Sequence, residues 1–440
     1  MAVKLLICLL AFALTHVAPV VSGQQANITD TAPVAGPTKK NVLSEAERAR
    51  FDELRKRGFE ALYNLDYEEA RRNFKELARL FPDHPAGPQF LAASLWAQTL
   101  NESRRLQSGL YNSDSFYAPT EDQVDPRTVA QFREWTRAAR LLAEARLRRD
   151  RKDTEALYFL GATEGLKAAF ATAVQRSFMG ALKDGSNSVD RHREVLKLDP
   201  NFHDAELTIG LYDYVVGALP LPVKLLASLT GARGSKKRGL QTLERVAREG
   251  RFAQDDARAL LILLYKREGR FNDALAVARE LSAKYPRSYL LKLEAADALM
   301  SQSTIEQKAN RPTEAANAQR EALVIFNDLL RSNTTRDTAS RALDLIHFRY
   351  AEALLAGGQK EQAAKEFLAA ASVTGAVQSL ATMAHLRAAQ ALDLAGKRNE
   401  ALTQYRVVLA RPNVYDSQDE AKQGLREPYK IKDQEKSVTE

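Results

Sequence analysis

Histidines are the residues of this sequence best suited to hold a metal or move a proton, and their spacing fits neither role. Outside the apolar N-terminal run they stand singly, at His84, His192, His203, His347 and His385. No two lie four residues apart and no His-Glu-x-x-His motif occurs, so the spacing offers no zinc site of the metalloprotease type. His347 and His385 occupy equivalent places in two similar segments, which favours a repeated packing or groove position over a unique ligand.

Other catalytic motifs are also missing from the sequence. The stretch GARGSKKRG at 231–239 looks superficially like a phosphate-binding loop, but it lacks the Gly-Lys-Ser/Thr ending and a preceding strand. No Gly-x-Ser-x-Gly elbow is present. The single cysteine, Cys8, lies in the apolar N-terminal run, so removal of that run would leave no disulfide and no thiol nucleophile. We therefore expect no enzyme activity, no cofactor and no metal site.

Positive charge is concentrated in two runs. Residues 127–152 contain nine Lys and Arg against three carboxylates, a net of +6, and residues 233–251 contain seven against two, a net of +5. Together they exceed the net charge of +8 for the whole chain. Such runs form either a basic patch for an acidic peptide, a lipid headgroup or a polyanionic glycan, or a solvated helix face. Candidate contact residues in the first run are Arg133, Arg137 and Arg140.

The N-terminus has the pattern of a secretory signal. Lys4 precedes the apolar run LLICLLAFAL, and small residues follow in VVSG, so we expect cleavage after about Gly23. The alternative is a membrane anchor, but Thr15, His16 and Pro19 interrupt the run before it reaches the roughly 20 residues a spanning helix needs. We expect an exported protein, periplasmic or extracellular.

Two helices joined by a tight turn form the pattern that recurs along the chain. Between Asp255 and Pro286, apolar residues recur at helical spacing up to Gly269, which tolerates the left-handed conformation of a helix end. Ala274 then opens the second helix, where a small side chain lets the paired helices approach closely. Pro286 falls where that helix must stop.

This pattern resembles the tetratricopeptide (TPR) repeat, which has a period of about 34 residues. Similar spacings occur at 54–82, 350–370 and 389–408. The resemblance implies an all-α, right-handed α-solenoid of TPR-like helical hairpins with irregular insertions. It also implies a concave face, lined by the first helix of each hairpin, that binds a protein or peptide. Candidate contacts on first helices are Arg258, Tyr265, Lys292, His347 and His385.

Three stretches depart from the repeat. From Gly161 to Pro200 the chain exceeds the period by about 15 residues, which either lengthen a helix or add the loop KDGSNSVD. Ser301 to Thr313 is expected to be a polar connection. Residues 215–234 are apolar and interrupted by prolines, and around 207–243 the sequence resembles the tetratricopeptide repeat protein 39 family. The apolar stretch is either a buried plug or, within 215–238, a segment that dips into a membrane surface.

The sequence therefore predicts a non-catalytic, exported scaffold that binds a protein or peptide, with a peripheral membrane or lipid-associated protein as the alternative. We expect no nucleic acid partner, because an exported protein rarely meets one, while a membrane surface stays possible. The predicted organisation is a signal peptide at 1–23, a flexible leader at 24–43, an N-terminal TPR-like array with insertions at 44–200, an irregular apolar and basic helical segment at 201–254, a C-terminal TPR array at 255–415, and a capping helix with a disordered tail at 416–440.

Overall fold

A computed structural model describes residues 43–105, 124–175, 178–219, 224, 233–331 and 338–430. The predicted signal peptide, nearly all of the predicted leader, most of the apolar stretch between 220 and 232, and the last ten residues lie outside this range. All regular structure in the described residues is helical, with seventeen α-helices and two short 3-10 helices. The predicted all-α array of TPR-like hairpins is therefore confirmed.

The helices are numbered in chain order. They are α1 (Glu45–Tyr63), α2 (Tyr67–Leu80), α3 (Ala86–Glu102), α4 (Pro126–Arg149), α5 (Thr154–Ala173), α6 (Phe178–Leu198), α7 (Glu206–Gly217), α8 (Lys236–Glu249), α9 (Gln254–Arg267), α10 (Phe271–Lys284), α11 (Tyr289–Lys308), α12 (Pro312–Arg331), α13 (Leu343–Ala356), α14 (Lys360–Ser372), α15 (Gln378–Leu394), α16 (Arg398–Leu409) and α17 (Ser417–Arg426). The 3-10 helices are His203–Ala205 and Thr338–Ala342.

The chain divides into two compact units. Unit 1 comprises Met1–Leu62, Tyr67–Trp96 and Asp125–Ala257, and unit 2 comprises Tyr63–Asp66, Ala97–Val124 and Arg258–Glu440, counting in each only the described residues. Unit 1 thus holds α1 to α8, except for the last residue of α1 and the last six residues of α3, and it also holds the first turn of α9. Unit 2 holds the rest of α9 and all of α10 to α17.

Unit 2 is built from four hairpins, α9–α10, α11–α12, α13–α14 and α15–α16. A turn glycine with positive φ ends the first helix in three of them, at Gly269 (φ 72), Gly358 (φ 78) and Gly396 (φ 76). Asn310 (φ 56) takes that place in the remaining hairpin. Because side chains with a Cβ rarely adopt this conformation, these positions fix where each hairpin turns. The expected role of Gly269 is confirmed.

First and second helices of unit 2 differ in how they are buried. The first helix α15 buries residues all round, including the consecutive Leu380, Ala381 and Thr382, whereas the second helix α14 buries the single stripe Ala363, Ala364, Phe367 and Ala370. Among the described residues of this unit, α11 contacts α13 and α13 contacts α15, while the second helices have no comparable backbone contact with each other. The first helices of α11–α12, α13–α14 and α15–α16 therefore pack against one another as well as against their own second helices.

Helix α17 covers the open end of the array. The carboxylate of Asp393, whose side chain has no exposed surface, accepts hydrogen bonds from the Tyr405 hydroxyl (2.9 Å) and from the backbone N–H of Tyr429 (2.8 Å). Arg398 contacts the same carboxylate (2.9 Å) and donates to the carbonyl of Gly424 (2.7 Å). These bonds fasten the last helix over apolar surface that a terminal repeat would otherwise expose.

In unit 1, α5 and α6 approach closely because Gly161 has no side chain. A Cβ there would lie 2.7 Å from the Cδ2 atom of His192. The two helices are 20 and 21 residues long, so the extra residues after Gly161 lengthen helices. The alternative, a loop at KDGSNSVD, was wrong, since that stretch lies within α6.

The expected polar connection from Ser301 to Thr313 was also wrong over most of its length. Helix α11 continues to Lys308, and only a short turn around Asn310 separates it from α12. Ser303 explains how a polar stretch packs here, because its hydroxyl is buried and donates to the carbonyl of Ala315 at 2.8 Å. A polar side chain bonded in this way does not interrupt the helix.

Candidate partner-binding site

A network of ion pairs joins three successive first helices of unit 2. Lys266 on α9 places its Nζ atom 2.9 Å from Glu294 Oε2 and 3.1 Å from Asp297 Oδ2, both on α11. Arg349 on α13 pairs with Asp297 and also with Glu352, where Nη1 lies 2.5 Å from Oε2. We call these five residues the first-helix charge network.

The buried pair Lys266 and Asp297 keeps its charges at neutral pH. Burial alone would lower the pKa of Lys266, but the carboxylates of Asp297 and Glu294 outweigh it and raise that pKa above its usual value. Burial would likewise raise the pKa of Asp297, yet Arg349 and Lys266 hold it below the usual range. Lys266 therefore stays protonated and Asp297 stays ionised near pH 7, so this pair acts as fixed charges rather than as an acid or base.

The row of polar side chains continues on α15. Arg387 stands the same distance before Gly396 as Arg349 stands before Gly358, so the two arginines occupy equivalent places. Arg387 Nη1 lies 3.0 Å from the side-chain oxygen of Gln390, a neutral residue at the place of Glu352. Among the described residues no carboxylate lies within ion-pairing distance of Arg387, which is half-buried. Its charge is therefore less compensated than that of Arg349.

Three of the predicted contact residues face the second helix of their own hairpin. Arg258 Nε lies 3.2 Å from Glu280 Oε1, His347 Nδ1 lies 2.7 Å from Glu366 Oε2, and His385 Nδ1 lies 2.9 Å from Gln404 Oε1. All three stand the same distance before the turn glycine of their hairpin. The side chain at this repeated position therefore packs within its own hairpin.

The other predicted residues are scattered. Tyr265 is buried, with the Arg270 guanidinium carbon 4.2 Å from its ring centroid, and Lys292 is half-buried on α11. In unit 1, exposed positions of α4 carry Arg133, Arg137 and Arg140. Contact of these residues with a partner stays a prediction.

Sequence reasoning missed the network itself, although one signal for it was available. Asp297 lies between the buried residues Ala296 and Ala298, and Glu294 between Leu293 and Ala295. A charged side chain in the middle of a helix that is apolar on nearly all sides must find a partner of opposite charge, because an unpaired buried charge is too costly. The identity of that partner was not readable from the sequence.

Unit 1 contains a separate buried ionic cluster. Arg146 at the end of α4 pairs with Asp153 (Nε–Oδ2 2.8 Å), and Glu155 at the start of α5 contacts Arg48 (2.8 Å) and His84 (3.2 Å). Burial lowers the pKa of His84, although Glu155 opposes that effect. The cluster ties α1, α4 and α5 together. Neither here nor elsewhere in the described residues is there a group of His, Cys, Asp or Glu suited to hold a metal ion.

Comparison with known proteins adds similarities of architecture. Human IFIT1, solved as a dimer with m7Gppp-AAAA, is 14% identical over 87% of this chain and 86% of its own, with a TM-score of 0.45. Yeast Tom70 is 12% identical over 83% and 86%, with a TM-score of 0.36. A tetratricopeptide repeat protein from Parabacteroides merdae is 14% identical over 76% and 99%, with a TM-score of 0.30.

The chain has a TPR-type repeat fold. The hairpins themselves carry this assignment, through their turn glycines and through the buried alanines of their second helices, Ala274, Ala363 and Ala401. No protein-family model and no curated protein matches the sequence. No helix in the described part of the chain is long and apolar enough to span a membrane.

Proposed function

We propose that this protein is a non-catalytic scaffold that binds another protein or a peptide on the face formed by the first helices of unit 2. The observation that carries the proposal is the row of charged side chains across α9, α11, α13 and α15. These side chains are largely buried at Lys266, Asp297 and Arg349 and more exposed at Glu352. The row begins with the first-helix charge network and ends at Arg387. Support for export comes from the N-terminal pattern of Lys4 and the apolar run that follows it.

Fixed charges on rigid helices suit the recognition of an extended or helical partner. The network residues hold one another in place, so a partner does not have to order them on binding, and that lowers the entropic cost of association. Glu352 keeps 31% of its side chain exposed and Arg387 is half-buried, so both are accessible to a partner. Charges of both signs along one face also set the register of the bound segment.

The test combines crosslinking in the native compartment with a pair of charge reversals. Glu352→Lys together with Arg387→Glu changes the face while leaving the net charge of the chain unaltered. The matched control is Lys365→Glu with Glu400→Lys, at exposed positions of the second helices α14 and α16. Mass spectrometry of the crosslinked products identifies and quantifies the partner, and circular dichroism checks that each variant is folded.

We expect the control to recover the same protein partner as the unaltered chain, and the Glu352/Arg387 variant to lose it by at least about tenfold. Equal recovery with both variants would refute the assigned face. Recovery of RNA in place of protein, or vesicle flotation that depends on residues 215–238, would replace the proposed function. So would turnover of a substrate by the purified chain.

A further inference from the structure

One exposed face of α4 carries three arginines, two of which pair with no carboxylate among the residues that the structure describes. Arg133 and Arg137 are exposed, and within the described residues neither pairs with a carboxylate. Arg140, also exposed, has only Glu144 at 3.4 Å. Because these three residues recur at three- and four-residue spacing, they lie along one face of the helix.

Arginines at the surface of neighbouring helices in unit 1 are paired. Arg50 and Arg57 on α1 both contact Glu53 at 2.7 Å. Arg79 on α2 contacts Glu76 at 2.8 Å. The α4 face therefore carries an excess of positive charge that extends into solvent over roughly 8 Å at physiological salt. A field of this kind attracts negatively charged partners and orients their approach.

A large apolar side chain lies beside these charges. Leu141 follows Arg140 and stands one turn beyond Arg137, and it is 45% exposed. An exposed leucine within a charged rim can fill a pocket in a partner or accept an apolar side chain from it. The arginines therefore require a negatively charged partner, and Leu141 requires that the partner also carry an apolar side chain.

We propose that the α4 face, defined as Arg133, Arg137, Arg140 and Leu141, binds an acidic protein segment that carries an apolar side chain. From Arg133 to Arg140 the helix rises about 10 Å. A matching segment must spread its carboxylates over that length, which corresponds to about three residues of an extended strand. The surface lies in unit 1, so the proposal stands or falls separately from the face assigned in unit 2.

A membrane or a nucleic acid fits this face less well. A helix that lies in a membrane surface buries a broad apolar side in lipid. On α4 that side is already used within the protein, since Phe132 stacks on Phe170 with ring centroids 3.8 Å apart and Ala139 is fully buried. Proteins that bind single-stranded nucleic acid stack bases on aromatic rings. The aromatic residues of α4 are the buried Phe132 and the half-buried Trp135, and Trp135 lies about 200° around the helix from Arg133, away from the arginines.

The test measures binding of a short fluorescein-labelled peptide rich in Glu with interspersed Leu to the full mature chain, by fluorescence anisotropy. Two further peptides serve as comparisons, one with Gln in place of Glu and one with Ser in place of Leu. The variant is Arg133→Glu with Arg137→Glu. Its control is Arg50→Glu with Arg57→Glu, which makes the same change in net charge on α1 of the same unit.

We expect the α4 variant to weaken binding of the Glu/Leu peptide at least about tenfold and the α1 control to change it less than about threefold. Replacing Glu by Gln in the peptide should abolish binding, and replacing Leu by Ser, or making Leu141→Ser, should weaken it several-fold. Equal losses with the α4 and α1 variants would overturn the proposal, because they would show a non-specific charge effect. Binding of phosphatidylserine vesicles or single-stranded RNA through the α4 face, with no binding of the peptide, would overturn it as well.

Discussion

Lowering the pH should destabilise unit 1 through His192. The ring of this residue is 2% exposed, with Nε2 3.1 Å from the carbonyl oxygen of Tyr158 and Nδ1 2.5 Å from the hydroxyl of Thr208. A neutral ring fits these partners, because Nε2–H donates to the carbonyl and Nδ1 accepts from the hydroxyl. Burial lowers the pKa of His192 from 6.5 to about 4.

The size and sign of the effect follow from the two pKa values. Above pH 6.5 neither the folded nor the unfolded chain holds the proton at this position, and the contribution to stability is fully present. As the pH falls, the unfolded chain binds the proton first. The folded chain follows only near pH 4, so the free energy of unfolding decreases by about 2 kcal/mol between about pH 7.5 and pH 5.

Tryptophan fluorescence can isolate this change. The only two tryptophans are Trp96 and Trp135, and both belong to unit 1, so their urea unfolding curve reports that unit. We expect His192→Gln to be less stable than the unaltered chain at neutral pH, with a pH dependence that is flatter by about 2 kcal/mol over the same interval. His385→Gln in unit 2 is the control and should keep the original slope. Identical slopes for the unaltered chain and His192→Gln would refute the reasoning.

Two further predictions concern packing and charge. Gly161→Ala places a methyl group against His192, so we expect the free energy of unfolding of unit 1, followed by tryptophan fluorescence, to decrease by about 1–3 kcal/mol. At an uncrowded helix position the same change stabilises by about 1 kcal/mol. A stabilised variant would therefore contradict the close approach of α5 and α6. Asp297→Asn leaves Lys266 without one of its carboxylates, so we expect the free energy of unfolding of unit 2 to decrease by about 2–4 kcal/mol. Far-UV circular dichroism measures this change, in the part of the unfolding transition that is not accompanied by a change in tryptophan fluorescence. Asp273→Asn, in an exposed pair, is its control and should cost less than about 1 kcal/mol.

The hairpins could be predicted from the sequence because their determinants are local. Gly269 and Gly396 end helices through their own backbone conformation, and Ala363 and Ala401, both fully buried, admit the facing helix through their own size. Each of these requirements is met by one residue, so its spacing in the sequence is informative. The lengths of irregular segments were harder to predict. The polar stretch that begins at Ser301 is helical as far as Lys308, and the hydroxyl of Ser303 finds its partner only in the next helix.

The sequence predicts which helices form the candidate site, but it does not predict which of their residues lie on the binding face. Successive residues on a helix are turned by about 100°, so an error of one or two positions moves a side chain to another face. His347 faces the second helix of its hairpin, whereas Arg349, two residues later, joins the charge network. The partner of Arg349 is Asp297, and which residues meet across two hairpins depends on how the hairpins stack. The spacing of residues within either hairpin does not predict how the hairpins stack.

A single carboxylate links three hairpins of unit 2. Asp297 touches Lys266 on the preceding first helix and Arg349 on the following one. In a linear array, cooperativity depends on how strongly each repeat is coupled to its neighbours. Through Asp297, the α11–α12 hairpin is coupled to the hairpins on both sides of it. Loss of this carboxylate should therefore let the flanking hairpins unfold separately instead of in one cooperative transition.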